Sequence, residues 1–240
     1  MDKQYIQDNC KYLQFPSFDS KTQRFFQRTP NKLIDVNNLY NLPIVENMNY
    51  YGLKNNHHHF TTEYHRNHVL PKLNFIFDFG FNIDDFIIKN HIINTINDLT
   101  KKYDNFDLSY LIPKKNKFFK VISLEFDFEY ECDFQGLLCN EKTKDKTWFS
   151  EYHELYCLPH TCSIVENLSS SNERTLLILG DSQMIPSLSV LCYYYKKVIY
   201  LDNRTTDKFY YESHLKNLQV DDILIEMFNG GLNYYLSHFR

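Results

Sequence analysis

The chain of 240 residues is 43% hydrophobic, which suits one domain with a substantial core. Lys and Arg number 26 against 30 Asp and Glu, a formal net charge of −4. Nucleic-acid binding needs clustered positive charge, so no nucleic-acid partner is expected. No run approaches 18 consecutive apolar residues and no basic-then-apolar leader opens the chain, so neither a membrane span nor a signal peptide is expected, and the expected location is the cytoplasm. Six cysteines, at 10, 132, 139, 157, 162 and 192, are too irregularly spaced for a disulfide framework. Cys157 and Cys162, with His153 and His160 nearby, fit no common zinc spacing, so neither a metal nor a cofactor is expected.

A single domain over residues 1–240 is the expectation, with 1–32 as an N-terminal extension of uncertain structure. "KLIDV" (32–36) reads as a short strand. "FTTEYHRNHVLPKLNFIF" (60–77) and "DDFIIKNHIINTINDLTKKY" (84–103) both read as mostly helical. "PKKNKFFK" (113–120) is a dense basic patch, explained by a solvated loop before a strand. "FFKVISLEFDFEYE" (118–131) alternates as one long strand. Val121, Ser123, Glu125 and Asp127 would lie on one face, and Ile122, Leu124, Phe126 and Phe128 on the other. Residues 130–165 are polar and irregular and receive no assignment. "ENLSSSNER" (166–174) is a surface loop.

The last third alternates. "TLLILGDS" (175–182) is a buried strand, and "MIPSLSVLCYYY" (184–195) a helix with Pro186 tolerated in its first turn. "KKVIYLDNR" (196–204) is a second strand, "TDKFYYESHLKNLQ" (206–219) a helix and "VDDILIEMF" (220–228) a third strand. Gly230-Gly231 turns the chain into a helix at 232–239. Such alternation predicts an α/β fold, a three-layer sandwich around a central, mainly parallel sheet.

Ligands of such sheets bind beyond the carboxyl ends of the strands. Ser182 falls there, at the entry to a helix, where backbone N–H groups can hold an oxyanion. Gly180 lets the chain turn sharply. The competing interpretation is a turn in which Asp181 or Ser182 only caps the helix. A serine nucleophile needs a base, usually His. "NNHHHFTTEYH" (55–65) offers three consecutive histidines, which cannot all share one face of a strand or helix. A solvent-exposed loop is the alternative there.

In that order the two blocks resemble the SGNH-like, DHHW-type polysaccharide O-acetyltransferases of the alginate O-acetylation kind. The upstream block is residues 34–73, in which His59-Phe60-Thr61 is similar to the family's His-Trp-Thr. The serine block is "LLILGDSQMIPSLSVLCYYYKKVIYLDNR". "VDDILIEMFNGGLNYYL" is similar to the final strand and helix, with Glu226 at the strand end. The likeness covers most of residues 33–240 and implies an SGNH-hydrolase-like fold. It implies Ser182 as nucleophile and His59 as general base, with His57 where the family has the carboxylate that orients the base. Asn56, Asp35 or Glu63 are other candidates for that support. The oxyanion would sit near the N–H groups of Ser182 and Gln183, beside Gly180 and Asp181. The activity implied is acyl transfer to a carbohydrate in capsule or other bacterial surface-polysaccharide synthesis. An esterase and a non-catalytic carbohydrate-binding member of the fold are the alternatives. A nucleotide-dependent glycosyltransferase using "YLDNR" is a third. Family members usually act outside the cytoplasmic membrane, whereas this chain shows no export signal.

Overall fold

Leu176, Leu177, Ile178 and Leu179 are consecutive, and each is at most 1% exposed. Successive side chains of a strand point to opposite faces, so such a run requires a sheet covered on both sides. The computed structural model describes residues 5, 8–16, 36–43, 52–53, 56–93, 106–124, 128–138, 162–202 and 218–227. Its strands are β1 (Cys10–Gln14), β2 (Leu39–Asn41), β3 (Gly52–Leu53), β4 (Asn56–Phe60), β5 (Phe86–Ile93) and β6 (Phe106–Pro113). They continue as β7 (Phe118–Ser123), β8 (Phe128–Asp133), β9 (Cys162–Asn167), β10 (Thr175–Gly180), β11 (Lys197–Asp202) and β12 (Asp222–Met227). The α-helices are α1 (Thr62–Tyr64), α2 (Leu70–Phe77), α3 (Phe134–Leu138) and α4 (Ile185–Tyr194).

Eight strands form one sheet in the order β2-β1-β12-β10-β11-β9-β7-β8. The first five are mutually parallel, and β9, β7 and β8 extend the sheet with antiparallel pairings. β10, α4 and β11 are a βαβ unit at its centre. Leu176, Ile178, Val198, Tyr200 and Leu224 join the larger core. Leu177, Leu179, Ile199, Leu201, Ile223 and Ile225 form a second core with Cys10 and Tyr12. Both faces are therefore buried, as a three-layer α/β sandwich requires. No helix among the described residues is long and apolar enough to cross a membrane.

Thr62–Phe77 is helical throughout, as expected, but not uniformly α-helical. Between α1 and α2 lies a π-helical turn, His65–Val69, where the Leu70 N–H reaches back five residues to the His65 carbonyl. Pro71 explains the widening, because it lacks an N–H and its ring crowds the carbonyl four residues earlier. Thr61 caps the N-terminus, its hydroxyl accepting from the Tyr64 N–H at 3.3 Å. Asp78 ends the run in the left-handed region at φ 48°.

Two assignments are corrected. In the segment read as a helix, Ile83–Asp85 is a 3-10 turn and Phe86–Ile93 is β5, which pairs antiparallel with β6 from Phe86↔Pro113 to Ile93↔Phe106, while residues 94–103 lie outside the described residues. Its apolar pairs fit a helical period as well as a strand, and cross-strand pairing decided. The long strand at 118–131 is a hairpin of β7 and β8, closing at Ser123↔Phe128. Its turn carries no Gly, Pro or Asn to announce it. Of the strand expected at "KLIDV" only Val36 lies among the described residues, in a 3-10 turn ahead of β2. The helices expected at 206–219 and 232–239 fall almost wholly outside the described residues, as do Asp35, Cys139, His153, Cys157 and His160. Lys114, Lys115 and Asn116 are exposed between β6 and β7, so the basic patch is a loop as expected. β1 comes from the stretch read as an N-terminal extension and lies inside the sheet, between β2 and β12.

Candidate active site at the carboxyl edge of the sheet

Ser182 opens a 3-10 turn, Ser182–Met184, just past the end of β10 and directly ahead of α4. β10 is flanked on both sides by parallel strands, so the turn leaves the sheet at the centre of its carboxyl edge. Pro186 sits in the first turn of α4, where no intrahelical donor is lost.

The turn is braced from beneath. The Asp181 N–H donates to Glu226 Oε2 at 2.8 Å, and the Tyr200 hydroxyl donates to the Asp181 carbonyl at 2.9 Å. Asp181 Oδ1 accepts from the Gln183 N–H at 2.8 Å, and the Met184 N–H returns to the Asp181 carbonyl at 3.1 Å. Asp181 is thus the cap of the turn. The Gln183 N–H, expected among the oxyanion donors, is held by the Asp181 carboxylate, and the Gln183 side chain is buried.

Gly180 lies between two acids. The register sets it opposite Asp202 on β11, and Leu179 opposite Ile225 on β12, which brings Glu226 to its other side. A Cβ on Gly180 would meet Glu226 Oε2 at 3.2 Å and the Met184 Cγ at 3.4 Å, so the glycine makes room for the carboxyl. Glu226 is 1% exposed and Asp202 2%. Burial pushes the Glu226 carboxyl well above the usual carboxylate range. The Asp181 charge and an acceptor on Asp181 for the Glu226 proton raise it further, with a contribution from Asp202, against the lowering effect of the Asp181 N–H.

The histidine tract forms β4, whose backbone packs against the Ser182–Met184 turn. The side chains of Asn56, His57, His58, His59 and Ser182 lie outside the described residues. Glu63 occupies the first turn of α1. Phe60, which ends β4, is buried and stacks on Tyr64 with ring centroids 4.4 Å apart.

A second link joins the same two segments. His65 Nδ1 lies 2.7 Å from Ser187 Oγ, one residue of the π turn meeting one of α4. Both residues are 0% exposed, so this pair is a buried tie and not a substrate site. Neither the half-buried Cys132 nor the buried Cys192 competes for the nucleophile's role. Burial pushes Cys132 up to about 12 and raises Cys192 still further, which keeps both protonated. Among the described residues no cluster of His, Cys, Asp and Glu has a metal-binding arrangement. Of the tyrosines of "CYYY", Tyr193 and Tyr195 are core residues and Tyr194 is half-buried against them. Tyr193 packs edge-on against Phe86, and Tyr195 is fully buried beneath Arg174.

An α/β sandwich with a capped serine turn at the carboxyl edge of its parallel strands is the class this chain represents. Among solved structures, Bacillus cereus PatB1 matches 96% of the chain over 86% of its own, at 14% identity and a TM-score of 0.60. PatB1 with a sulfonyl adduct gives a TM-score of 0.59 at 13% identity, over 96% of this chain and 85% of that one. A DHHW family protein from Eubacterium siraeum gives 0.61 at 13% identity, over 95% and 80%. At these identities the likeness is one of fold. No protein-family model matches the sequence, and no curated protein matches it.

Proposed function

We propose that the protein is a serine-dependent O-acyltransferase acting on a carbohydrate. Ser182 Oγ attacks the carbonyl carbon of an acyl donor while His59 takes the hydroxyl proton. The bond to the donor's leaving group breaks, and His59 returns the proton to that group. A sugar hydroxyl then attacks the acyl-serine, gives its proton to His59, and departs as the ester, while the proton returns to Ser182. Water in place of the sugar would make the same steps an ester hydrolysis.

The observation that carries this reading is the packing of the histidine strand β4 against the Ser182–Met184 turn, from segments more than a hundred residues apart. A likeness of fold to a DHHW family protein supports the resemblance of the two sequence blocks. His57 stands where the family's orienting carboxylate would be, so the base has a neutral neighbour or draws its support from elsewhere. A neutral support holds the imidazole tautomer but contributes less to the imidazolium than a carboxylate does. Surface-polysaccharide precursors are the proposed acceptors, reached in the cytoplasm.

Sulfonylation tests the reading. Phenylmethylsulfonyl fluoride is expected to modify Ser182, identified by mass spectrometry of the peptide containing residues 182–195. Ser182→Ala should abolish that label. His59→Ala should slow it by about 10²- to 10⁴-fold, the range of a general base. Labelling that falls elsewhere, or that ignores His59→Ala, overturns the assignment.

A further inference from the structure

Glu226 is the one acid on β12 that reaches the Ser182 turn, and it reaches it by a backbone hydrogen bond. Its Oε2 takes the Asp181 N–H at 2.8 Å, next to Ser182 in the chain. It fills the space that Gly180 leaves open. Two further acids share its surroundings, Asp181 past β10 and Asp202 at the end of β11. On its other side β1 places Leu13 opposite it, with Gln14 as the next residue. Three carboxylates crowded together with so little exposure would repel, whereas one neutral carboxyl among them can bond in both directions.

We infer that Glu226 is a positioning residue for the Ser182 turn and works in its neutral form, accepting the Asp181 N–H on one oxygen and giving its proton to the Asp181 carboxylate. Asp181 is then fixed at both its amide and its side chain. Its Oδ1 holds the Gln183 N–H, and its carbonyl takes the Tyr200 hydroxyl. Ser182 lies between these anchored groups, so the direction of its backbone is set by the proton on Glu226. The reaction served is the acyl transfer proposed above, and the inference rests on that reading only for its catalytic consequence.

The sign of the pH dependence follows. An ordinary glutamate titrates near about 4.3, and Glu226 in the fold titrates higher. Below its unfolded value both states carry the proton and the contribution to stability is complete. It is lost as pH rises toward the raised folded value, because the unfolded chain releases the proton first.

Glu226→Gln reproduces the neutral carboxyl: its amide oxygen accepts from Asp181 and its NH2 donates to the carboxylate. Glu226→Ala removes both bonds, and Glu226→Asp keeps a carboxyl group but draws it back on a shorter arm. The full-length protein and each variant are to be assayed for sulfonylation of Ser182, for hydrogen exchange at the Asp181 amide, and for thermal midpoint between about pH 5 and 8. Glu226→Ala should slow labelling by about tenfold or more and speed Asp181 exchange. Glu226→Gln should restore both and flatten the fall of the midpoint with pH. If Glu226→Ala does not fold, Glu226→Asp takes its place as the impaired variant. Gln behaving like Ala or Asp, or Ala behaving like wild type, overturns the inference. Should wild type resist labelling while Asp181 exchange follows the expected order, the acyl-transfer reading falls and the positioning role stands.

Discussion

Ser187 and His65 are 122 positions apart, yet their side chains meet at 2.7 Å with no exposure to solvent. A buried imidazole and a buried hydroxyl each carry a desolvation cost that the bond between them offsets. Ser187 is five residues beyond Ser182, and His65 is six beyond His59, so the bond clamps the continuation of one site segment to that of the other. Ser187→Ala leaves His65 Nδ1 without that hydroxyl and should cost about 1–3 kcal/mol of stability. A urea titration of the variant against wild type measures it, and an unchanged midpoint would show that the pair contributes nothing. Ser187→Thr keeps the hydroxyl but adds a methyl to a filled position, so it should recover only part of the loss. Neither residue's role was readable beforehand, since a serine on an apolar helix and a histidine after a polar tract carry no mark of their pairing.

Elements are joined at the opposite end of the sheet by Arg174, just before β10. Its guanidinium donates to the Phe77 and Asp78 carbonyls at the end of α2, at 2.8 and 3.2 Å, and to Asp222 Oδ2 at 2.5 Å on β12. It also lies over the Tyr195 ring, whose hydroxyl donates to the same Asp222 oxygen. One side chain therefore closes a helix end, fixes the start of two central strands and covers an aromatic core residue. Its head is about a third exposed, so solvent screens the ion pair and the hydrogen bonds to carbonyls matter more. Arg174→Ala should lower stability by about 2 kcal/mol, and Arg174→Lys should not restore it, because an ammonium lacks the planar fork. Midpoints of chemical unfolding for the two variants decide this. The βαβ unit from 175 to 202 was legible because its strands are unbroken apolar runs and Gly180 ends one of them. The hairpin β7–β8 was not, because "LEFD" between its strands carries no Gly, Pro or Asn and continues the apolar alternation of the strands it separates. The same holds for the site. Ser182 was visible as a local motif, whereas the nearness of Glu226 and Asp202 to it follows from the register of three strands, which no local pattern records.

Across the whole molecule, the chain's beginning and end are woven together. β1 lies between β12 and β2, pairing with β12 from Cys10↔Ile223 to Gln14↔Met227. Leu13 is thereby set beside Glu226, on the strand that braces the Ser182 turn. A segment near the amino terminus thus closes one flank of the candidate site, and its contribution to stability can be bounded. Tyr12, Leu13 and Phe15 are each at most 5% exposed, and burying three such side chains contributes about 5–8 kcal/mol. That is comparable with the whole stability of an ordinary domain, about 5–15 kcal/mol. Removal of residues 1–16 should therefore abolish cooperative unfolding and not merely lower its midpoint. It also exposes the apolar edge of β12, so the truncated chain should aggregate where the intact one does not. Tyr12→Ala with Leu13→Ala, in the full chain, gives a milder form of the same test, with an expected loss of several kcal/mol. A truncated protein that unfolds in one sharp transition near the intact midpoint would mean that β1 is an accessory strand. A loss confined to the double variant's labelling at Ser182, with the midpoint kept, would place the effect of β1 on Glu226 alone.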